Sequence, residues 1–153
     1  MIVLDTNVIS ELLRRDPDAN VVAWVRSLND EVSITAVTLA ELFAGVRSLP
    51  EGRRKTALAE AVLSAVGPYR DGHSVLQFDE ECAEAYAEIL YGREQAGLHI
   101  ATADAQIAAV CRTRGATCAT RNTKDFDGTG ITTVDPWGAP GLSGSWVEGD
   151  GDS

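Results

Sequence analysis

The chain has 153 residues, 44% hydrophobic and 24% charged, the balance of one ordinary globular domain long enough to bury a core. It carries no apolar run long enough to span a bilayer and no basic, apolar leader, which excludes a membrane-spanning class and points to the cytoplasm. With 13 Lys and Arg against 23 Asp and Glu, the net charge is −10, awkward for a protein that grips nucleic acid through a basic surface.

In chain order, Ile2-Val3-Leu4 reads as a short buried strand that stops at Asp5. Val8, Ile9, Leu12 and Leu13 then recur at helical spacing, and Pro17 closes that helix. Residues 21–28 form a second helix and residues 32–34 a second strand. Residues 37–49 place Leu39, Leu42, Phe43 and Val46 on one helical face, and residues 53–66 continue as a helix with a basic start. Residues 75–78 are a third strand. Asp79 caps an acidic helix that runs to Ala96, with Gly97 behind it. Residues 100–114 are helical and Gly115 stops them. Residues 117–120 and 131–134 are the last two strands. Strands alternating with helices predict an α/β domain: a central parallel β-sheet flanked by helices on both sides, over residues 1–137. Residues 138–153 are rich in Gly, Ser and acid, and read as a disordered tail in which Trp146-Val147 is a small docking element at most.

Three cysteines, Cys82, Cys111 and Cys118, without a CxxC pattern fit buried free thiols in a reducing compartment. His73 and His99 are not closely spaced, which argues against a zinc site. The chemistry therefore falls to oxygen. In a parallel sheet, ligands gather at the carboxyl ends of the strands, and Asp5 sits at such an end. At 100° per residue, Ile100, Ile107, Ala108 and Cys111 fall within about 60° of Asp104, which puts that carboxylate on an apolar stripe. A charge facing a core is costly unless it is paired, hydrogen-bonded (to Thr102, for example) or bound to a metal. Glu41 lies opposite its helix's apolar stripe, on a face of small residues, and periodicity alone leaves it open between site and surface. Residues 120–126 follow a strand and hold a hydroxyl, an amide, a carboxylate and two cations. There Asn122 or Asp125 can complete a metal shell, and Arg121 or Lys124 can meet a phosphate. Oxygen ligands without His or Cys select Mg²⁺, with Mn²⁺ as a substitute. Such an ion offers one account of the acidic charge, and docking of a basic partner offers another.

The residues then match a family. Met-Ile-Val-Leu-Asp-Thr-Asn-Val-Ile-Ser-Glu at the start resembles the opening of PIN-domain proteins, above all the VapC-type toxins of bacterial toxin–antitoxin pairs. The stretches at residues 33–42, 100–109 and 119–126 resemble the family's later motifs in order, and Asp135-Pro136-Trp137 is similar to a common ending. The resemblance implies a PIN-like fold, a Mg²⁺-dependent ribonuclease, a VapB-like antitoxin and a homodimer. It assigns metal binding to Asp5, Glu41 and Asp104, and it lifts Glu41 above what periodicity gives. Some members carry Asp where Asn122 stands, which leaves Asp125 as a substitute ligand. A PIN-like module that binds RNA or a regulator without cutting is the alternative, motivated by Asn122 and the acidic balance. A phosphatase with Asp5 as nucleophile is disfavoured, because Asp5-Thr6-Asn7 lacks the second Asp of such sites.

Overall fold

In the computed structural model, residues 1–138 are described. The residue 138–153 tail and the Trp146-Val147 element otherwise lie outside them. The strands are β1 (Ile2–Leu4), β2 (Val32–Thr35), β3 (Val75–Leu76), β4 (Thr117–Ala119) and β5 (Thr133–Val134). The helices are α1 (Thr6–Leu12), α2 (Ala19–Ser27), α3 (Ala36–Arg47), α4 (Arg53–Asp71), α5 (Glu80–Gln95) and α6 (Thr102–Arg114), with a 3₁₀ turn at Thr123–Phe126. No described helix is long and apolar enough to cross a membrane.

The five strands lie in the order β3-β2-β1-β4-β5, all parallel. Alternation within the strands builds two cores. Ile2, Leu4, Ile34 and Ala119 face α1 to α4, whereas Val3 and Cys118 face α5 and α6. The expected α/β sheet covered on both faces is therefore what forms. Its order also places the site. The chain moves outward from β1 through β2 to β3, then returns to the other side of β1 with β4 and β5. The strand order thus switches between β1 and β4, where an open α/β sheet leaves a crevice at its carboxyl edge. Asp5 is the residue at that point, and its N–H donates to Ala119 O at 2.9 Å.

Most boundaries match the spacing, although α1 ends at Leu12, well ahead of Pro17, with Leu13 as its cap. The α4 helix runs beyond residue 66 and through Pro68. Val66 and Tyr69 continue its apolar face, and the Gly72 N–H closes on Pro68 O at 3.0 Å. The α6 helix begins at Thr102, because Ala101 is extended and Ile100 turns into the core ahead of it. β3 and β5 are each two residues shorter than the expected strands at residues 75–78 and 131–134. Asp79 caps α5 as expected, accepting the Cys82 N–H at 3.1 Å. Gly97 and Gly115 take left-handed φ values of 70° and 63° behind α5 and α6, a conformation other residues adopt at a cost. The three cysteines are buried and unpaired.

Candidate functional site

Asp5 ends β1 and caps α1. Its Oδ1 accepts the Thr6 N–H at 2.8 Å, and its Oδ2 accepts the Thr120 hydroxyl at 2.8 Å across from β4. Capping is thus one of its roles, but a cap has no need of Thr120. The Thr120 hydroxyl is fully buried and also receives the Asn7 amide at 3.2 Å and the Asn122 N–H at 3.1 Å. One hydroxyl therefore ties the first and fourth acid-bearing segments together with every bond satisfied.

A second set of hydroxyls reaches Glu41 on α3. Thr6 Oγ1 lies 2.7 Å from Glu41 Oε1 and 3.0 Å from Thr38 Oγ1. An ionised carboxylate only accepts, so Thr6 donates to Glu41 and receives its own bond from Thr38. Thr38 is fully buried, and its N–H donates to the N-cap hydroxyl of Thr35 at 3.0 Å. Glu41, exposed and unreadable by periodicity, is thus anchored from the interior.

Asp104 needs a correction. Nearly the whole circumference of α6 is buried, with Ala105 and residues 107–111 all inside, so no narrow apolar stripe exists for Asp104 to lie on. It sits instead in the first turn of α6, partly buried, where the helix opens onto the cleft. Among the described residues it forms no hydrogen bond, to Thr102 or to any other group. Partial burial, then the charges of Asp5, Asp125 and Glu41, push its carboxyl up to about 6. Burial likewise raises Asp5, helped by Glu41 and Asp125 and opposed by the bonds from Thr120 and Thr6.

Asp5, Glu41, Asp104 and Asn122 line one cleft of about 470 Å³. Asp125, on the 3₁₀ turn, is not in its wall, although its charge is felt by both aspartates. Glu11 joins the lining unanticipated. It is only 6% exposed, accepts the Asp18 N–H at 2.9 Å and pairs with Arg14 at 3.2 Å. A short amphipathic helix with one acid among apolar residues gives no signal of this beyond its place in the first motif. From the cleft, past Thr6, Ser10 and Glu41, a larger groove of about 1050 Å³ runs over Leu42, Val46, Leu58 and Val62.

The donors are oxygens alone, which suits a hard cation. Among the described residues no three carboxylate, imidazole or thiol groups stand close enough to enclose an ion. That spacing is compatible with Mg²⁺, which keeps several waters and is commonly held by one or two carboxylates plus substrate phosphate. The like charges of Asp5, Asp125 and Glu41 act on Asp104, and its carboxylate has no hydrogen-bond donor among the described residues to offset them.

The PIN domain profile matches residues 2–131. Toxin FitB of Neisseria gonorrhoeae is 42% identical over 138 residues, covering 90% of this chain and 99% of that protein. VapC ribonuclease Y4jK of Sinorhizobium fredii is 38% identical, covering 90% and 98%. The crystal structure of FitAcB from Neisseria gonorrhoeae superposes with a TM-score of 0.83 at 40% identity, covering 91% of this chain and all of that one.

Proposed function

The chain belongs to the PIN-domain family, and on that footing we propose that it is a Mg²⁺-dependent endoribonuclease, the toxin of a toxin–antitoxin pair. The observation that carries this reading is the meeting of Asp5, Glu41 and Asp104, from three separate segments, in one cleft at the sheet's switch point. Mg²⁺, or Mn²⁺ in its place, supplies charge neutralisation at the scissile phosphate and a more acidic water.

The chain's own residues do the rest. Asp5, Asp104 and Glu41 line the cleft and would hold the ion together with waters and substrate phosphate rather than enclose it. Thr120 and the Thr6 N–H fix both oxygens of Asp5, and the Thr38–Thr6 pair fixes Glu41. Asn122 offers a neutral amide in the same cleft, suited to orienting a water rather than to binding a second ion tightly. RNA incubated with the purified chain is expected to be cut with Mg²⁺ or Mn²⁺ and spared with EDTA. The Asp5→Asn chain is expected to be inactive and to relieve growth arrest. Cleavage at the parental rate by Asp5→Asn sinks the site assignment.

The partner follows from the same surfaces. The acidic cleft opening into an apolar groove matches an antitoxin segment that is amphipathic and ends in Arg or Lys, as a VapB-like antitoxin would supply. A homodimer as the toxin's own assembly belongs to this proposal, and light scattering of the purified chain tests it. The neutral Asn122 and the loose spacing of the acids favour a second reading, a module that binds RNA or a regulator without cutting. Tight Mn²⁺ binding with no cleavage across many RNAs would select it.

A further inference from the structure

Arg121 directly follows the buried Thr120 and lines the cleft with Asp5, Asp104 and Asn122. Its N–H donates to Asn7 Oδ1 at 3.3 Å, which fixes the root of the side chain to α1. Its guanidinium lies over the ring of Trp137, 5.2 Å from the centroid. Trp137 is itself held in place. Its N–H donates to Asp135 Oδ1 at 2.9 Å, its carbonyl accepts from Asn20 Nδ2 at 3.3 Å, and its ring packs on the core beneath α1 to α4. The indole is therefore a fixed platform, and attraction between a cation and a ring face keeps the guanidinium on it.

Arg121 differs from Arg14, the other arginine of the cleft, which is tied to Glu11 at 3.2 Å. Among the described residues Arg121 pairs with no carboxylate. A guanidinium held over an aromatic ring keeps its N–H donors for an anion and its solvent side for another flat group. Both properties answer a need of this molecule, whose net charge of −10 and acidic cleft repel a phosphate chain.

We infer that Arg121, positioned by Trp137, is a substrate-binding group that stacks an unpaired nucleobase on its outer face and meets a neighbouring phosphate at its edge. The inference rests on the ribonuclease reading, and because a base inside a duplex has both faces covered, the Arg121 contribution is made to unpaired RNA and not to a duplex.

The test measures cleavage rates on a short unstructured RNA and on the same RNA annealed to its complement, for the parent, Arg121→Ala and Arg121→Lys. Arg121 is exposed, so these variants are expected to fold, and Mn²⁺ binding as tight as the parent's confirms an intact site. For the single strand, Arg121→Ala is expected to raise KM about tenfold with a much smaller effect on kcat. The slope of log affinity against log salt should also shrink by about 0.7. Arg121→Lys is expected to restore the salt slope but not KM, since an ammonium brings charge without a flat face. Trp137→Leu is expected to raise KM with the slope intact. A parent that cuts RNA, beside an Arg121→Ala chain with unchanged KM and slope, overturns the inference. So does an equal loss on single strand and duplex. A parent that cuts no RNA overturns the ribonuclease reading beneath it instead.

Discussion

Asp104 carries the largest electrostatic cost at the site, and its sign can be worked through. Its carboxyl sits near 6 in the folded chain, above the ordinary aspartate value of the unfolded one. The folded state therefore holds the proton more tightly, and the metal-free chain loses stability as pH rises between roughly 4 and 6. Asp104→Asn is expected to stabilise the metal-free protein at pH 7 by about 1 kcal/mol, after discounting for solvent at a partly buried group. Urea unfolding in EDTA should show that gain shrinking at pH 5, and RNA cleavage should be lost at either pH. Thr38→Val, nearly isosteric, removes the bond that orients Thr6 toward Glu41. A hydrogen bond of about 1 kcal/mol corresponds to a roughly fivefold loss of Mn²⁺ affinity by calorimetry, which Thr38→Ser should restore. Asp5 was legible as an acid at a strand end. Glu41 was legible from the family resemblance but not from periodicity, because its anchoring runs through Thr6 and Thr38, side chains that meet only when β1 and β2 lie side by side. Around Asp104 the expected neighbours Ile100, Ile107, Ala108 and Cys111 are all buried, but α6 is buried nearly all round and the Asp104 carboxylate opens onto the cleft, so periodicity alone does not show which way it faces.

At the scale of elements, the α5 and α6 ends are set by a buried cation. Arg93 is 4% exposed, and its Nη atoms donate to His99 O and Asp127 O at 2.7 Å each. It thereby joins the end of α5 to the loop that precedes Asp104 and to the turn that follows Asp125. No carboxylate pairs with it among the described residues, so its role is to hold two backbone segments. Arg93→Ala strands both carbonyls and leaves a cavity. It is expected to cost about 3 kcal/mol in urea unfolding, with the melting temperature falling in step. Helix boundaries were largely legible, because caps such as Asp79 and stops such as Gly97 and Gly115 act within one turn. The passage of α4 through Pro68 was not legible, since burial of Val66 and Tyr69 overrides a local breaker. The 3₁₀ turn at Thr123–Phe126 was hidden for a related reason. It is organised by the burial of Phe126 against α6 and by Thr120 behind it, not by any periodicity.

For the whole molecule, the order β3-β2-β1-β4-β5 accomplishes what no single segment does. It sets the first strand at the centre, so the first acid of the chain meets acids from α3 and α6. The alternation of strands and helices announces a parallel sheet but not its order, because order depends on which crossovers bury both faces. The acidic charge fits that arrangement once part of it is assigned to a cation site. Distant acids that share one metal site would be seen as a single class of tight Mn²⁺ when the metal-free chain is titrated and followed by electron paramagnetic resonance. Asp5→Asn and Asp104→Asn, altered in separate segments, are each expected to weaken binding about tenfold or more while remaining folded. Folded variants that bind Mn²⁺ as the parent does would contradict a shared site.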